Sequence, residues 1–374
     1  MILLARRAQW IQYDKIIDVN LKFILLIAAL SAAHIAGCSS FGPDGLKGTH
    51  PLYNEAINSS INEQFVQNLV RLHYRDPTFF LDVASVAATL KLELTGGLGF
   101  ESSSKSYTPD AGVGYTTQPT ISYAPLQGED FVKSVLSPIP LETIFALAGS
   151  GWSGRRVFSL CVERINGLEN APSASGPTPE LAPEADHGFS RLLELTDSFR
   201  NEHLIVPRVD PVTKEAQLEI HNDPAHLEAV YEIKTLLGLD PRLETYKLSG
   251  DFLSHRRDTV SIRTRSLMNI FFLLSHQVDT PPEHKAKGLV TVTRQTNGAE
   301  FDWDDSTGGK LFRIRQSESP PDQAFLAIPY RQHWFYIADN DLESKSTFML
   351  LTQLFRLQAG AAKSITPTLT IPLR

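Results

Sequence analysis

The stretch Thr89-Leu90-Lys91-Leu92-Glu93-Leu94-Thr95-Gly96-Gly97-Leu98-Gly99-Phe100 sets Leu90, Leu92 and Leu94 in alternation with Lys91 and Glu93. Period-two alternation specifies a strand with one dry and one wet face. A Ser-rich turn at 101–110 follows. After it, residues 111–123 alternate again through Val113, Tyr115, Thr117, Ile121 and Tyr123. Segments 81–100 and 111–123 are therefore expected to pair as a long, protruding β-hairpin. Gly96, Gly97, Gly99, Gly112 and Gly114 weaken both strands. A long, weakly specified edge invites pairing with another chain, which makes this hairpin the expected interaction surface. A plain solvent-exposed protrusion is the alternative.

Helices flank the hairpin. In 54–75, Ile57, Ile61, Phe65, Leu69 and Leu72 share one helical face, and Asp76-Pro77 stops the run. Further on, 129–136 and 141–147 read as helices around Pro138-Ile139-Pro140, and 153–165 as a third helix closed by Gly167. Residues 170–186 carry Pro172, Pro177, Pro179 and Pro183 without apolar periodicity, which marks a linker or long exposed loop and a domain boundary.

Beyond that boundary short helices alternate with strands. Helices are expected at 189–200, at 224–237 after Asp223 and before Gly238, and at 266–278. Another is expected at 342–357, behind a capping box at Asn340-Asp341-Leu342-Glu343. Strands are expected at 203–209, 216–221, 244–248, 259–263, 289–293, 311–316, 324–330, 333–338 and 369–373. The fold class is α+β, with helices packed on antiparallel sheet.

The amino terminus carries a different signal. Lys22 precedes the apolar run Phe23-Ile24-Leu25-Leu26-Ile27-Ala28-Ala29-Leu30, and small residues lead to Ile35-Ala36-Gly37-Cys38. A charged lead, a short apolar core and a small-residue processing point are the parts of a secretory signal. The core is shorter than the ~20 residues a spanning helix needs. Ile-Ala-Gly before a cysteine resembles the lipobox of bacterial lipoproteins. The resemblance implies a diacylglyceryl group on the Cys38 thiol, cleavage before it and acylation of the new amino terminus, palmitate included. Ser39 is similar to residues that permit export to the outer membrane. The lead from Met1 is long, and translation from Val19 or Leu21 would leave a conventional signal. The expected organisation is a signal peptide at 1–37, a lipidated tether at 38–53, a helix and hairpin domain at 54–169, the Pro-rich segment at 170–186, and an α+β domain at 187–374.

Removing residues 1–37 deletes four basic and two acidic side chains and takes the formal charge from −7 to −9. That acidity argues against nucleic acid and against an electrostatic grip on anionic lipid. With Cys38 acylated, Cys161 is left alone in the apolar context Val157-Phe158-Ser159-Leu160-Cys161-Val162, where a thiol acts as a small hydrophobe. An intramolecular disulfide is then excluded.

Residue patterns that carry chemistry are sparse in this chain. Gly149-Ser150-Gly151-Trp152-Ser153-Gly154 has no Gly-x-Ser-x-Gly register and reads as a turn between helices. Ser102-Ser103-Ser104-Lys105 matches Ser-x-x-Lys, but in a Ser-rich turn rather than on a helix. His221 and His226 are five apart, out of step with helical metal pairs. Asp302, Asp304 and Asp305 before Thr307-Gly308-Gly309 fit a charged turn better than a calcium loop. Trp334 and Tyr336 point to one side of their strand, His333 and Phe335 to the other, and core packing explains one face. Arg256, Arg257, Arg263 and Arg265 read as a solvated basic face.

No catalytic residue, metal or cofactor is expected from these patterns, and Cys38 is the one modification site. The expected function is a lipid-anchored envelope protein on the periplasmic side of the outer membrane. Its expected role is assembly, scaffolding or binding of an envelope protein, with the hairpin as the expected surface. The alternatives are an envelope hydrolase with a site built from dispersed residues and a hairpin-mediated oligomeric ring or pore.

Overall fold

The computed structural model describes residues 41–98, 109–183, 187–199, 204–250, 256–306, 308–360 and 369–372. The described residues fall into two units, divided between Ser60 and Ile61. The described part of the first unit is the start of helix α1 (Phe41–His73). In the second unit, α1 buries Phe65, Val66, Leu69, Val70 and Leu72. Its end is a left-handed cap. Arg75 takes φ +58°, its N–H donates to the Leu72 carbonyl at 3.0 Å, and Asp76 N–H donates to Arg71 at 2.8 Å. This cap fixes the exit of His73 and Tyr74.

The expected α+β architecture is present. Strands β1 (Leu81–Leu98) and β2 (Pro109–Pro125) pair antiparallel from Leu81↔Pro125 to Leu98↔Pro109. Then come helices α2 (Glu129–Leu136), α3 (Leu141–Gly149) and α4 (Gly154–Cys161), followed by strands β3 (Val162–Ile165) and β4 (Leu168–Glu169). Helix α5 (His187–Ser198) leads to β5 (Ile205–Val209) and β6 (Ala216–Ile220), and helix α6 (Leu227–Leu236) to β7 (Thr245–Ser249) and β8 (Thr259–Thr264). After these stand α7 (Leu267–Ser275), the short α8 (Pro282–Ala286), β9 (Arg315–Ser317), β10 (Ala324–Tyr330), β11 (His333–Ala338), α9 (Leu342–Gly360) and β12 (Leu369–Pro372).

The sheets have orders β1-β2-β12, β10-β11-β9 and β4-β3-β8-β7-β6-β5. Pairing is antiparallel except between β7 and β8. Phe65, Phe80, Phe131, Phe271, Phe348 and Phe355 join α1, α2, α7 and α9 through ring contacts, with Phe65 edge-on to Phe355 at 4.8 Å. Aromatic pairs of this geometry add about 0.5–1.5 kcal/mol each beyond area burial.

Several expectations need correction. The segment read as a single helix at 153–165 is α4 followed by β3, because β8 captures Val162, Arg164 and Ile165 into a sheet. Gly167 does not cap a helix; with Asn166 (φ +48°) it forms the turn from β3 to β4. Residues 289–293 are not a strand, and of the expected 311–316 strand only Arg315 and Gln316 join a sheet, in β9. Helix α9 is capped one residue later than expected, by Asp341, whose Oδ1 accepts from Ser344 N–H at 3.0 Å. The tether read as turn-forming is helical from Phe41, with Pro43 in the first turn, where proline is tolerated.

The Pro-rich stretch, described to residue 183, is a packed loop. Asn170, Ala174, Ser175 and Thr178 are buried. Arg265, read as solvated, is also buried and holds that loop in place. Its guanidinium donates to the carbonyls of Ser159 at 3.0 Å, Leu160 at 3.3 Å, Val162 at 2.8 Å and Asn170, and to Ser175 Oγ at 2.9 Å. The end of α4 leaves carbonyls without helical partners, and a fork of N–H donors answers them.

Candidate functional site

Cys38 and Ser102-Ser103-Ser104-Lys105 lie outside the described residues. What the structure does give of the hairpin expectation is its edges. Strand β12 covers β2 over Thr120–Tyr123, and β1 has no strand on its outer side among the described residues. Pro109, Pro119 and Pro125 interrupt the N–H donors of β2, whereas β1 contains no proline.

The other expected groups land as follows. Cys161 is fully buried and its thiol is pushed up to about 12, which makes it inert. Ser153 caps α4, and Gly151 (φ +97°) turns the chain before it. His226 rests on Asp223 at 3.1 Å, whereas His221 faces Glu219 at 3.6 Å, so these two histidines are not brought together. Arg256 pairs with Asp258 and Arg263 with Glu163. Asp302 caps a single turn by accepting from Asp304 N–H at 3.0 Å, as a charged turn requires.

Two clusters were not legible from spacing. The first lines a cavity of about 370 Å³ between the end of α1, the end of α7 and residues 290–304. His73 Nε2 lies 2.7 Å from Thr280 Oγ1. His276 Nε2–H donates to the Ala174 carbonyl at 3.0 Å, which leaves Nδ1 to accept from Thr178 at 3.3 Å. Burial drops both imidazoles to about 4, so both are neutral at pH 7. Trp303 stacks on His276 at 4.5 Å. Arg313 bridges Asp279, at 3.0 Å, and Asp304. Burial pushes the Asp279 carboxyl up against the pull of that guanidinium. The cavity suits a polar solute.

The second cluster sits where the α1 cap, α8 and the β10–β11 turn meet. His333 Nε2 is 2.6 Å from Glu283 Oε1, and the His333 and His284 rings stand at 82° with centroids 4.9 Å apart. Tyr74 Oη is 2.6 Å from His284 Nδ1. Among the described residues, Glu283, His284 and His333 alone group as metal-capable donors, one ligand atom from each lying within 4.8 Å of the others. Burial, then the neighbouring His333, lowers the His284 pKa. The β10–β11 turn is tight and strained: Arg331 (φ +46°) and Gln332 (φ +70°) both occupy the left-handed region. Arg331 is held there by Asp76 at 2.9 Å and lies over the Tyr74 ring at 5.0 Å; Tyr330 also bonds Asp76.

The members of both clusters come from residues 73–76, 178, 276–304 and 313–333, so no local pattern joins them. The nearest signal was Pro281-Pro282-Glu283-His284, a helix start with a histidine in its first turn. Among the described residues no helix is long and apolar enough to cross a membrane. Comparison with protein-family models, with curated proteins and with solved structures finds no match.

Proposed function

We propose that this chain is a lipid-anchored envelope protein, held at the periplasmic face of the outer membrane through Cys38. We propose further that it binds a partner protein by strand addition along β1. The lipobox resemblance supports the anchor. The observation that carries the binding role is the outer edge of β1: 18 residues without proline and without a neighbouring strand among the described residues. At about 3.4 Å per residue, such an edge offers roughly 60 Å of alternating donors and acceptors. Main-chain bonds give affinity in strand addition, and side-chain pockets give specificity. Against the hydrolase alternative stand the two cavity histidines: three of their four ring nitrogens are engaged by Thr280, Thr178 and a main-chain carbonyl, and the fourth, His73 Nδ1, is buried.

The test is a proline scan with cross-linking in intact cells. Successive residues of a strand turn their N–H groups to opposite edges. Thr89→Pro and Leu90→Pro thus differ: one strikes the β2 ladder and the other only the open edge. The edge variant is expected to fold, stay membrane-bound and lose the adducts formed by a photo-reactive residue placed in β1. If β1 probes capture no protein in the unmodified chain, the binding role is wrong. Adducts made only of two copies of this chain would assign the edge to self-assembly instead.

A further inference from the structure

We propose that Glu283, His284 and His333 bind a divalent transition metal, zinc by preference, in a three-ligand site with a fourth position open to solvent. The donor set, two imidazoles and one carboxylate, is one that zinc takes when a water or ligand completes the tetrahedron. It is also laid out for entry. Glu283 keeps 45% of its side chain exposed, whereas that of His333 is 11% exposed and His284 is buried. An ion arriving from solvent therefore meets the carboxylate first and the imidazoles behind it.

The bonding follows atom by atom. His284 spends Nδ1 on Tyr74 Oη, so with Nδ1–H donating, Nε2 keeps its lone pair for the metal. A hydroxyl on the far nitrogen is the outer partner that orients a ligating histidine. His333 Nε2 faces Glu283 Oε1 at 2.6 Å. A tetrahedral ion with bonds near 2.1 Å would part these two atoms to about 3.4 Å and move the ring proton to Nδ1. His333 Nδ1 is buried without a hydrogen-bond partner, so the displaced proton arrives at a nitrogen with no protein acceptor, and His333, unlike His284, ligates without an outer partner. No proton is gained or lost on balance, since the imidazole only changes tautomer.

Of the cations around the cluster, Arg331 is neutralised by Asp76 at 2.9 Å and Lys285 is paired with Glu300, while Lys287 adds positive charge near His284. Both rings are also tied to neighbouring elements. His333 pairs with Tyr330 across the strained β10–β11 turn, and His284 sits in α8 against Tyr74 of the α1 cap.

The experiment uses the full chain extracted in detergent, stripped with a chelator and titrated with zinc alone. One bound equivalent per chain is expected by elemental analysis, and cobalt in its place should give the visible absorption of a tetrahedral ion. Glu283→Gln, an exposed change, is expected to keep the fold and weaken zinc by at least about 10-fold. Tyr74→Phe should weaken it by about 10- to 100-fold through the outer contact. His284→Ala and His333→Ala should abolish the site, with circular dichroism as the fold check. Failure to bind one equivalent, or binding unchanged in Glu283→Gln and His333→Ala, would overturn the proposal. Both results are independent of whether β1 captures a partner.

Discussion

Replacing Arg265 with methionine tests the tertiary logic of this chain most severely. The side chain is fully buried, and its guanidinium reaches four main-chain carbonyls and one serine hydroxyl. Two of those carbonyls have a second donor, since Asn170 Nδ2 reaches Ser159 at 2.8 Å and Val162 at 2.7 Å. The variant thus strips its side-chain donor from the carbonyls of Leu160 and Asn170. Each buried acceptor left dry costs about 1–3 kcal/mol. A positive group at the carboxyl end of a helix adds up to about 2 kcal/mol in a partly buried setting. Removing a desolvated charge returns part of this, because buried ions are costly to hold. Even with burial bringing its pKa down to about 10, the arginine is charged at neutral pH. The net expectation is a loss of about 3 kcal/mol, a large share of the 5–15 kcal/mol that domains have. Urea unfolding followed by tryptophan fluorescence and circular dichroism measures it. Arg265→Lys should recover a minor part, having one point of donation instead of a planar fork. Coupling with Asn170→Ala should exceed about 0.5 kcal/mol, because the two side chains share acceptors. A loss under about 1 kcal/mol in Arg265→Met would refute the reasoning.

Two further outcomes are expected. Stability should fall on acidification from about pH 6.5 towards 4. His73 and His276 are held near 4 by burial, so the unfolded chain takes up protons over that window while the folded chain does not. Above pH 7 both states carry neutral rings and the contribution is flat. The charges near these rings, Lys285 for His73 and Arg265 for His276, act in the same direction as burial. Each ring accounts for about 3 kcal/mol at the acid end, and His73→Gln should flatten the dependence of the urea midpoint on pH. Separately, Cys38→Ser is expected to free the polypeptide from membranes or leave it as uncut precursor, read by fractionation and by acyl labelling. Retention of processed, unlabelled protein on membranes contradicts the anchor, because stable binding requires more than one acyl chain.

The sequence by itself determined the elements whose signals are local. Period-two alternation around Leu90, Leu92 and Leu94 gave the β1–β2 pairing, and Asp76-Pro77 marked the end of α1. Gly238, at φ +66°, closed α6 where expected, and the helix expected at 266–278 is α7, Leu267–Ser275. What neighbours alone could decide went otherwise. Val162-Glu163-Arg164-Ile165 suits a helix or a strand by its local pattern, and β8 decided in favour of the sheet. Arg265 looked like part of a basic face until the orphan carbonyls at the end of α4 supplied acceptors for it. Glu283, His284 and His333 became a donor set only when the β10–β11 turn met α8 at the cap of α1. The reason is one of range. Periodicity, caps and turns are written within a few residues of the chain, whereas desolvation and side-chain geometry arise between residues that only folding makes neighbours.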